Sequence, residues 1–274
     1  INYRDFMIDK TNFGKLKENK QVGIIMRKIL FLFSLVFLSI FLWFQRPDQT
    51  DAEQKVPILI YHSIDEFMGH GALDLYVSPE NFEKQMIYLR DHGFTLLTFE
   101  QWGDLKKVKK PIFITLDDGY KNNLNAFTTF QKLKSDQFKP KATIFAISDF
   151  IGWSNRLSST DLKKMSDSGL FSIQSHSATH PDLRKVSDYE HELKDSRDKI
   201  QSITGKPVIA FAYPYSFYND KVVEETKKYY KYGITTIPKY YSETGAKNEL
   251  YLLPRLYIKY TTTLDEFAKI VEGH

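Results

Sequence analysis

The sequence predicts an α/β protein, a distorted (β/α) barrel of seven or eight strands, preceded by an N-terminal hydrophobic signal or anchor segment. Three observations carry this prediction. Strand-like and helix-like segments alternate from residue 57 onward, which is typical of a parallel sheet with crossover helices. The 274 residues suffice for one barrel-sized domain. Polar clusters follow several predicted strands, and barrel enzymes place their active sites at that end of each strand.

The chain starts with a basic segment followed by a hydrophobic one. Residues 1–28 carry seven Lys or Arg and three Asp or Glu, and the 16 residues of 29–44 carry no charge. This order is typical of a signal sequence or of a membrane anchor whose basic end stays in the cytoplasm. Cleavage after Ala52 and a buried core helix are the alternatives to a retained anchor. We expect a basic cytoplasmic flank (1–28), a signal sequence or anchor (29–44), a tether (45–56) and an extracellular or secreted folded domain (57–274).

Composition excludes several kinds of site. There is no cysteine, so disulfides, thiolate metal sites and cysteine nucleophiles are absent from the chain. The net charge of the whole chain, +4, equals that of residues 1–28, so the rest is balanced. A balanced domain has no basic surplus for phosphates, and we expect no nucleic-acid partner. We expect a monomer.

The elements of the folded domain can be placed in order. Strands are expected at residues 57–61, 94–97, 112–116, 142–147, 170–174, 208–212, 233–237 and 250–258. Helices are expected from Ser78 to Gly93, around Trp102, and at about 122–134, 159–168, 187–205, 219–230 and 264–271. The first helix has a capping serine followed by proline. A capping box at Ser187–Glu190 opens the helix that ends at Gly205.

Two adjacent carboxylates end the third predicted strand. Asp117 and Asp118 follow the apolar run 111–116 and precede Gly119. Because a core rejects unpaired carboxylates, the strand is expected to deliver them to a cleft. Successive side chains point in different directions, so one can bind a metal while the other handles a proton. A solvated turn that ends in glycine is the alternative interpretation.

Two histidines follow the fifth predicted strand. His176 and His180 are four residues apart and can converge on one ion in a helical turn or a tight loop. Pro181 favours a loop, and the glutamate of an H-E-x-x-H protease helix is missing. Two histidines and one carboxylate form a three-ligand site with a position left for water. A pair of exposed loop histidines is the alternative.

These residues resemble the polysaccharide deacetylases with a NodB-homology domain, carbohydrate esterase family 4, over about residues 56–272. Thr115–Gly119 resembles the first family motif, His176–His180 the second and Phe211–Tyr215 the third. The third motif commonly has arginine where Ala212 stands, and the late Leu-x-His motif that supplies the usual general acid is missing. Both departures are similar to the exported poly-N-acetylglucosamine deacetylases of biofilm systems.

The resemblance implies a divalent metal, with zinc favoured and Co²⁺ or Ni²⁺ as alternatives, held by Asp118, His176 and His180. It implies that Asp117 is the catalytic base and that the Tyr215 backbone N–H stabilises the oxyanion. Ser216 stands where the family commonly has glycine, which leaves the geometry of this loop open.

Two further residues complete the expected site. In the biofilm branch a histidine after the first strand acts as the acid, and His62 has that position. The alternative for His62 is a partly buried histidine beside Tyr61. Arg255 is expected to hold Asp117 ionised and oriented. The alternative for Arg255 is a surface salt bridge.

The resemblance implies a deacetylase for N-acetylglucosamine units of a β-linked polysaccharide, with poly-β-1,6-N-acetylglucosamine favoured. Three alternatives stay open at this point: a peptidoglycan deacetylase, an O-acetyl ester hydrolase, and an inactive glycan-binding module at the cell surface. The expected partners are the polysaccharide and, through the N-terminal segment, the membrane.

Overall fold

The computed structural model describes residues 28, 31 and 54–273. The predicted basic flank and signal or anchor segment, except for those two positions, and most of the predicted tether lie outside the described residues. Within the described residues, no helix combines the length and apolar character needed to cross a membrane. The fold and the site below belong to residues 54–273.

The strands of this part of the chain are β1 (Ile58–Tyr61), β2 (Ser63–Ile64), β3 (Tyr76–Val77), β4 (Thr95–Leu97), β5 (Pro111–Asp117), β6 (Ala142–Ala146), β7 (Phe171–Ser175), β8 (Ala210–Ala212), β9 (Tyr232–Ile234) and β10 (Leu256–Tyr257). The α-helices are α1 (Pro79–Asp91), α2 (Asn123–Leu133), α3 (Ser159–Asp167), α4 (Ser196–Thr204), α5 (Asp220–Lys227) and α6 (Leu264–Glu272). A π-helix, Glu190–Asp195, leads directly into α4, and short 3₁₀ helices occupy several connections.

The main sheet is parallel and curls into a distorted barrel, in agreement with the predicted fold. Its strand order is β10-β1-β5-β6-β7-β8-β9. Leu253 joins the two ends of this path, because it bridges to Ile234 of β9 just before β10 pairs with β1. The Leu253 N–H donates to Gly233 O at 2.9 Å, and the Thr235 N–H donates to Leu253 O at 2.8 Å.

Three predicted elements differ from the structure. The second predicted strand, β4, pairs only with the beginning of β5 and lies off the barrel path. The eighth predicted strand, 250–258, is reduced to β10, because residues 249–251 form a 3₁₀ turn. The Ser187 capping box does not form; the Asp188 carboxylate instead accepts the His191 N–H at 3.0 Å.

Strand alternation divides the core into two buried clusters. Ile58, Phe113, Phe145 and Ile234 belong to a cluster that also contains Leu253, which joins the ends of the sheet. Adjacent residues of the same strands (Leu59, Ile114 and Ile144) belong to a larger cluster, which also contains helix residues (Met86, Phe130 and Ile200). Since side chains alternate along a strand, one face of the sheet fills the barrel and the other packs against the helices.

Candidate metal-dependent hydrolase site

The three predicted metal ligands come together beyond the carboxyl ends of β5 and β7. His176 Nε2 lies 3.6 Å from Asp118 Oδ1, and His180 Nε2 lies 3.7 Å from the same oxygen. The two Nε2 atoms are 3.2 Å apart. Bonds of about 2.0–2.2 Å from zinc, at tetrahedral angles, separate two ligand atoms by about 3.3–3.6 Å. Asp118, His176 and His180 therefore fit one divalent cation.

His176 is held in the orientation that a ligand needs. It follows β7 directly, is buried, and its Nδ1 lies 2.7 Å from the carbonyl oxygen of Ala212. Donation from Nδ1 to that carbonyl leaves the Nε2 lone pair facing Asp118 and His180. The residue that departs from the third family motif thus supports the site through its backbone.

The ring of His180 is suited to remain neutral. Burial lowers the pKa of His180, and the adjacent His176 lowers it further, to about 4. A neutral imidazole is the form that binds a metal. With His176 buried and His180 only partly exposed, neither is the freely exposed loop histidine of the alternative interpretation.

Asp117 is a buried carboxylate paired with a buried arginine. The Arg255 guanidinium donates from Nη1 to Asp117 Oδ1 and from Nη2 to Oδ2, both at 2.7 Å. It also donates to the Thr115 hydroxyl at 3.0 Å and to the Thr235 carbonyl oxygen at 2.9 Å. Burial raises the pKa of Asp117, but the charges of Arg255 and His176 outweigh that effect and hold this pKa well below its usual range.

Two alternatives are therefore excluded by geometry. Asp117 is not a solvated turn residue, because its exposed fraction is 2%. Arg255 is not part of a surface salt bridge, because its exposed fraction is 0%. The two hydrogen bonds from Arg255 fix the orientation of the Asp117 carboxylate and favour its ionised form. The part of Arg255 in catalysis stays a prediction.

His62 follows β1 on the same rim. Burial lowers its pKa, while the charges of Asp117 and Asp118 act in the opposite direction. Its ring stacks on Tyr257 with 6.2 Å between the ring centres and 15° between the planes. Tyr257 was not identified from the sequence, since nothing distinguishes it among 17 tyrosines. The position beside two carboxylates suits a proton donor, although the acid role of His62 remains a prediction.

Tyr215 lies at the edge of the site with 60% of its surface exposed. Its ring stands edge-on to His180 at 4.5 Å between ring centres. Its backbone has φ 57°, and that of Ser216 has the same value. The structure thus places Tyr215 beside a candidate ligand, and the oxyanion role of its N–H remains a prediction.

Unusual backbone conformations concentrate here. Among the described residues, seven non-glycine residues have positive φ, and five of them lie in the loops that carry the site: Asp118, Ser177, His180, Tyr215 and Ser216. A residue held in this region costs about 1–3 kcal/mol and persists only where its surroundings impose it. The loops are therefore fixed by contacts from the rest of the fold.

Glu192 is a residue of this region that the sequence analysis missed. Its carboxylate accepts hydrogen bonds from the backbone between the two histidines. A glutamate in the predicted helix 187–205 gives no signal of such a role, because charged residues ordinarily occupy the solvated face of a helix.

Comparisons with known proteins agree with this geometry. The family model described as polysaccharide deacetylase matches residues 104–234. A polysaccharide deacetylase from Bacillus cereus, known from its crystal structure, is 55% identical, with a TM-score of 0.79 over 80% of this chain and 69% of that chain. A deacetylase from Streptococcus pyogenes, solved in complex with acetate, is 28% identical, with a TM-score of 0.71 over 80% of this chain and 99% of that chain.

A curated relative extends the comparison. The poly-β-1,6-N-acetyl-D-glucosamine N-deacetylase of Staphylococcus aureus is 27% identical over 212 residues, which are 66% of this chain and 67% of that protein. The family model spans the paired aspartates, both histidines and Tyr215, but not His62 or Arg255. The expected acid and the arginine partner of Asp117 thus come from outside the residues matched to the model.

Proposed function

The chain belongs to the polysaccharide deacetylase family of hydrolases that act on the amide bonds of N-acetyl groups, and we propose that it deacetylates N-acetylglucosamine units of a β-linked polysaccharide outside the cytoplasm. We favour poly-β-1,6-N-acetylglucosamine as the polymer and a divalent metal, zinc first, as the cofactor. The relative from S. aureus, whose name states that substrate, supports this choice of polymer.

One observation carries the proposal: a buried carboxylate outside the candidate ligand set lies next to the three candidate metal ligands. Asp117 Oδ2 lies 3.8 Å from His176 Nε2, so the candidate base borders the candidate ligands. Hydrolysis of an amide needs an activated water, a base for its proton and an acid for the departing amine. The rim supplies a candidate for each.

The surroundings of each residue suit it to a different part of the reaction. Asp118, His176 and His180 would hold the cation, which would supply Lewis-acid chemistry and lower the pKa of water so that water loses a proton readily and becomes a nucleophile. Asp117, kept ionised by Arg255, accepts a proton from the attacking water on a carboxylate oxygen.

His62 and the Tyr215 backbone N–H act on the departing amine and on the carbonyl oxygen, respectively. His62 donates a proton to the nitrogen of the departing amine, because an amide anion is too basic to leave at neutral pH. The Tyr215 N–H donates to the carbonyl oxygen as it becomes negative, and losing a donor of this kind costs about 3–4 kcal/mol.

The proposed location depends on the N-terminal segment. A 16-residue uncharged run after a basic flank supports export, either with a retained anchor or after cleavage. A polymer assembled outside the cell would meet a folded domain on that side of the membrane. We propose that this domain acts as a monomer.

Release of free amine tests the proposal. We expect the protein to release amine from poly-β-1,6-N-acetylglucosamine oligosaccharides, to stop when a chelator removes the metal, and to resume with Zn²⁺, Co²⁺ or Ni²⁺. Asp118→Ala removes one ligand and should abolish the reaction, whereas Asp136→Ala, at an exposed position, should leave it unchanged. Activity that survives both the chelator and Asp118→Ala would exclude the metal site.

The alternative substrates are separated by the same assay. Faster amine release from peptidoglycan fragments would assign the chain to that polymer. Acetate released from O-acetylated sugars, without amine from N-acetylated ones, would identify an esterase. Binding of oligosaccharide without release of either product would identify an inactive glycan-binding module.

The role of His62 can be tested by the choice of leaving group. His62→Ala should slow amine release by about 10²–10⁴-fold, the usual contribution of a general acid. Hydrolysis of 4-nitrophenyl acetate should change much less, because its phenolate leaves without a proton. His70→Ala, at an exposed position, is the control. Full amine release by His62→Ala, or equal losses on both substrates, would show that another group is the acid.

A further inference from the structure

Glu192 is a buried carboxylate that binds the loop between the two candidate histidine ligands. Its exposed fraction is 6%. Oε2 accepts the N–H groups of Ala178 and Thr179, both at 3.0 Å, and Oε1 accepts the Thr179 hydroxyl at 2.6 Å. Both carboxylate oxygens are thus used, and all three donors come from residues 178–179.

Glu192 is held there without a cationic partner. No ion pair of Glu192 is found in residues 54–273. A buried carboxylate is costly unless strong donors surround it, and two backbone N–H groups with a hydroxyl meet that need. The side chain of Glu192 therefore fixes the loop. A glutamate on a solvated helix face would instead keep its side chain in water.

The loop needs such an anchor because its backbone is not in a relaxed conformation. Ser177 and His180 have φ values of 66° and 62°. Residues other than glycine keep a positive φ only where surrounding contacts impose it. The hydrogen bonds of Glu192 lie between these two positions, where they oppose relaxation of either one.

The element that carries Glu192 also holds the beginning of the loop. The π-helix Glu190–Asp195 continues into α4, and the Ser196 hydroxyl lies 2.8 Å from the Ser175 hydroxyl, both buried. Ser175 directly precedes His176. One continuous helical segment thus fixes the loop at Ser175 and at residues 178–179, and π-helical turns are frequent at functional sites.

We propose that Glu192 is a positioning residue that fixes the His176–His180 loop so that both imidazoles meet Asp118 at the metal. This inference rests on the proposed function, because it concerns the same metal site. The hydrogen bonds of Glu192 go to Ala178 and Thr179, and it acts on the candidate ligands through these two residues. Without Glu192, the loop relaxes from its strained conformation, and the Nε2 atoms of His176 and His180 no longer face one metal position.

Metal binding tests the proposal without relying on turnover. The metal-free protein and its Glu192→Gln variant are titrated with Zn²⁺ against a chromophoric chelator, and the visible spectra of the Co²⁺ forms are recorded. We expect Zn²⁺ to bind about 10–100-fold more weakly to Glu192→Gln, the usual loss when a partner behind a metal ligand is removed. We also expect an altered Co²⁺ spectrum and a lower kcat with little change in KM.

Matched variants separate positioning from a general loss of structure. Glu190→Gln changes an exposed glutamate of the same π-helix that pairs with Lys194 at 3.1 Å, and it should bind metal like the unchanged protein. Thr179→Val removes one of the three donors and should weaken binding less than Glu192→Gln, whereas Thr179→Ser should restore it. These threonine variants keep the test decisive if Glu192→Gln folds poorly.

The outcomes distinguish this inference from the proposed function. Zn²⁺ affinity and a Co²⁺ spectrum unchanged in Glu192→Gln would overturn the positioning role alone. The same result would follow if Glu190→Gln lost as much affinity as Glu192→Gln. If the unchanged protein bound no divalent metal, both the proposed metal site and the positioning role would be overturned.

Discussion

At the scale of single residues, two adjacent aspartates have different environments. Asp117 is the last residue of β5 and lies on the same face as Thr115 and Phe113, inside the barrel. Asp118 follows with φ 68° and turns towards the histidines. A step of one residue thus separates a buried carboxylate paired with Arg255 from one that faces the two histidines, and side-chain alternation along a strand accounts for this difference. The proton-transfer role of Asp117 and the metal-binding role of Asp118 stay predictions.

The Asp117–Arg255 pair makes a prediction about stability. Arg255→Met leaves the buried Asp117 without a partner, and removing one member of a buried ion pair typically costs about 3–5 kcal/mol. Urea unfolding at neutral pH should show that loss. Arg184→Met is the control, because Arg184 forms a two-bond pair with Asp182 at 2.8 Å but is exposed. A similar midpoint for both variants would contradict the importance of burial.

The pH dependence of the same measurement follows from the shifts of the Asp117 pKa. In the unchanged protein this pKa is lowered, so the pair stabilises the fold above the unfolded pKa of about 3.9. That stabilisation is lost only as the pH falls through the lower folded pKa. In Arg255→Met, burial, the largest cause, is opposed only by the charges of His176 and His62, so we expect a raised pKa. The variant then regains stability as the carboxyl protonates. The difference between the two proteins should shrink from neutral pH towards pH 3.

Sequence reasoning identified the candidate metal ligands but not the residues that support them. Asp118, His176 and His180 were identified because their residue types and the strand ends before them carry information. The two interpretations of Arg255 could not be separated, because its burial depends on the closure of the barrel at Leu253. Glu192 and Tyr257 could not be identified at all, since their roles lie in contacts with residues 13 or more positions away.

At the scale of elements, apolar runs predicted strands better than they predicted pairing. β5, β6 and β7 lie within one or two residues of their expected bounds. The positions of β4 and β10 differ from expectation because pairing partners decide them. β4 has the composition of a strand but meets only the first residues of β5. Composition describes a strand's preference, whereas its place in a sheet depends on distant residues.

β9 provides a prediction at this scale. A Cβ added to Gly233 would lie 2.5 Å from the Tyr213 hydroxyl and 2.6 Å from the Tyr251 carbonyl oxygen. Gly233→Ala should therefore push β9 away from the third motif and destabilise the fold by about 1–3 kcal/mol, as overpacking does. Urea unfolding measures this loss.

Gly103→Ala is the matched control for that change. A Cβ at Gly103 would meet no atom within 4 Å, and neither glycine has positive φ. Gly103→Ala should leave the unfolding midpoint unchanged or raise it slightly, because alanine favours helical backbone. If Gly233→Ala were equally harmless, the close approach of Tyr213 to β9 would not be the reason for glycine there.

At the scale of the whole molecule, the barrel brings the two ends of the domain to one rim. His62 follows the first strand, and Arg255 precedes the last. Neither lies in residues 104–234, which match the family model. The hydrogen bonds of Arg255 to Asp117 therefore depend on closure of the sheet. The expected fold was sufficient to place His62 on the rim, whereas the position of Arg255 beside Asp117 is shown only by the structure.

The division of the chain makes the last prediction. The described core and every proposed site residue lie in residues 54–273. Val56 bridges to Tyr241 through hydrogen bonds of 2.8 and 2.9 Å. A chain that begins at residue 53 keeps this bridge and should match the full chain in kcat/KM on soluble oligosaccharides. One that begins at residue 58 loses the bridge and should unfold at lower urea concentration.

If residues 29–44 anchor the protein, only the full chain should sediment with membranes. Sedimentation of the chain that begins at residue 53 would place the membrane contact in the folded domain.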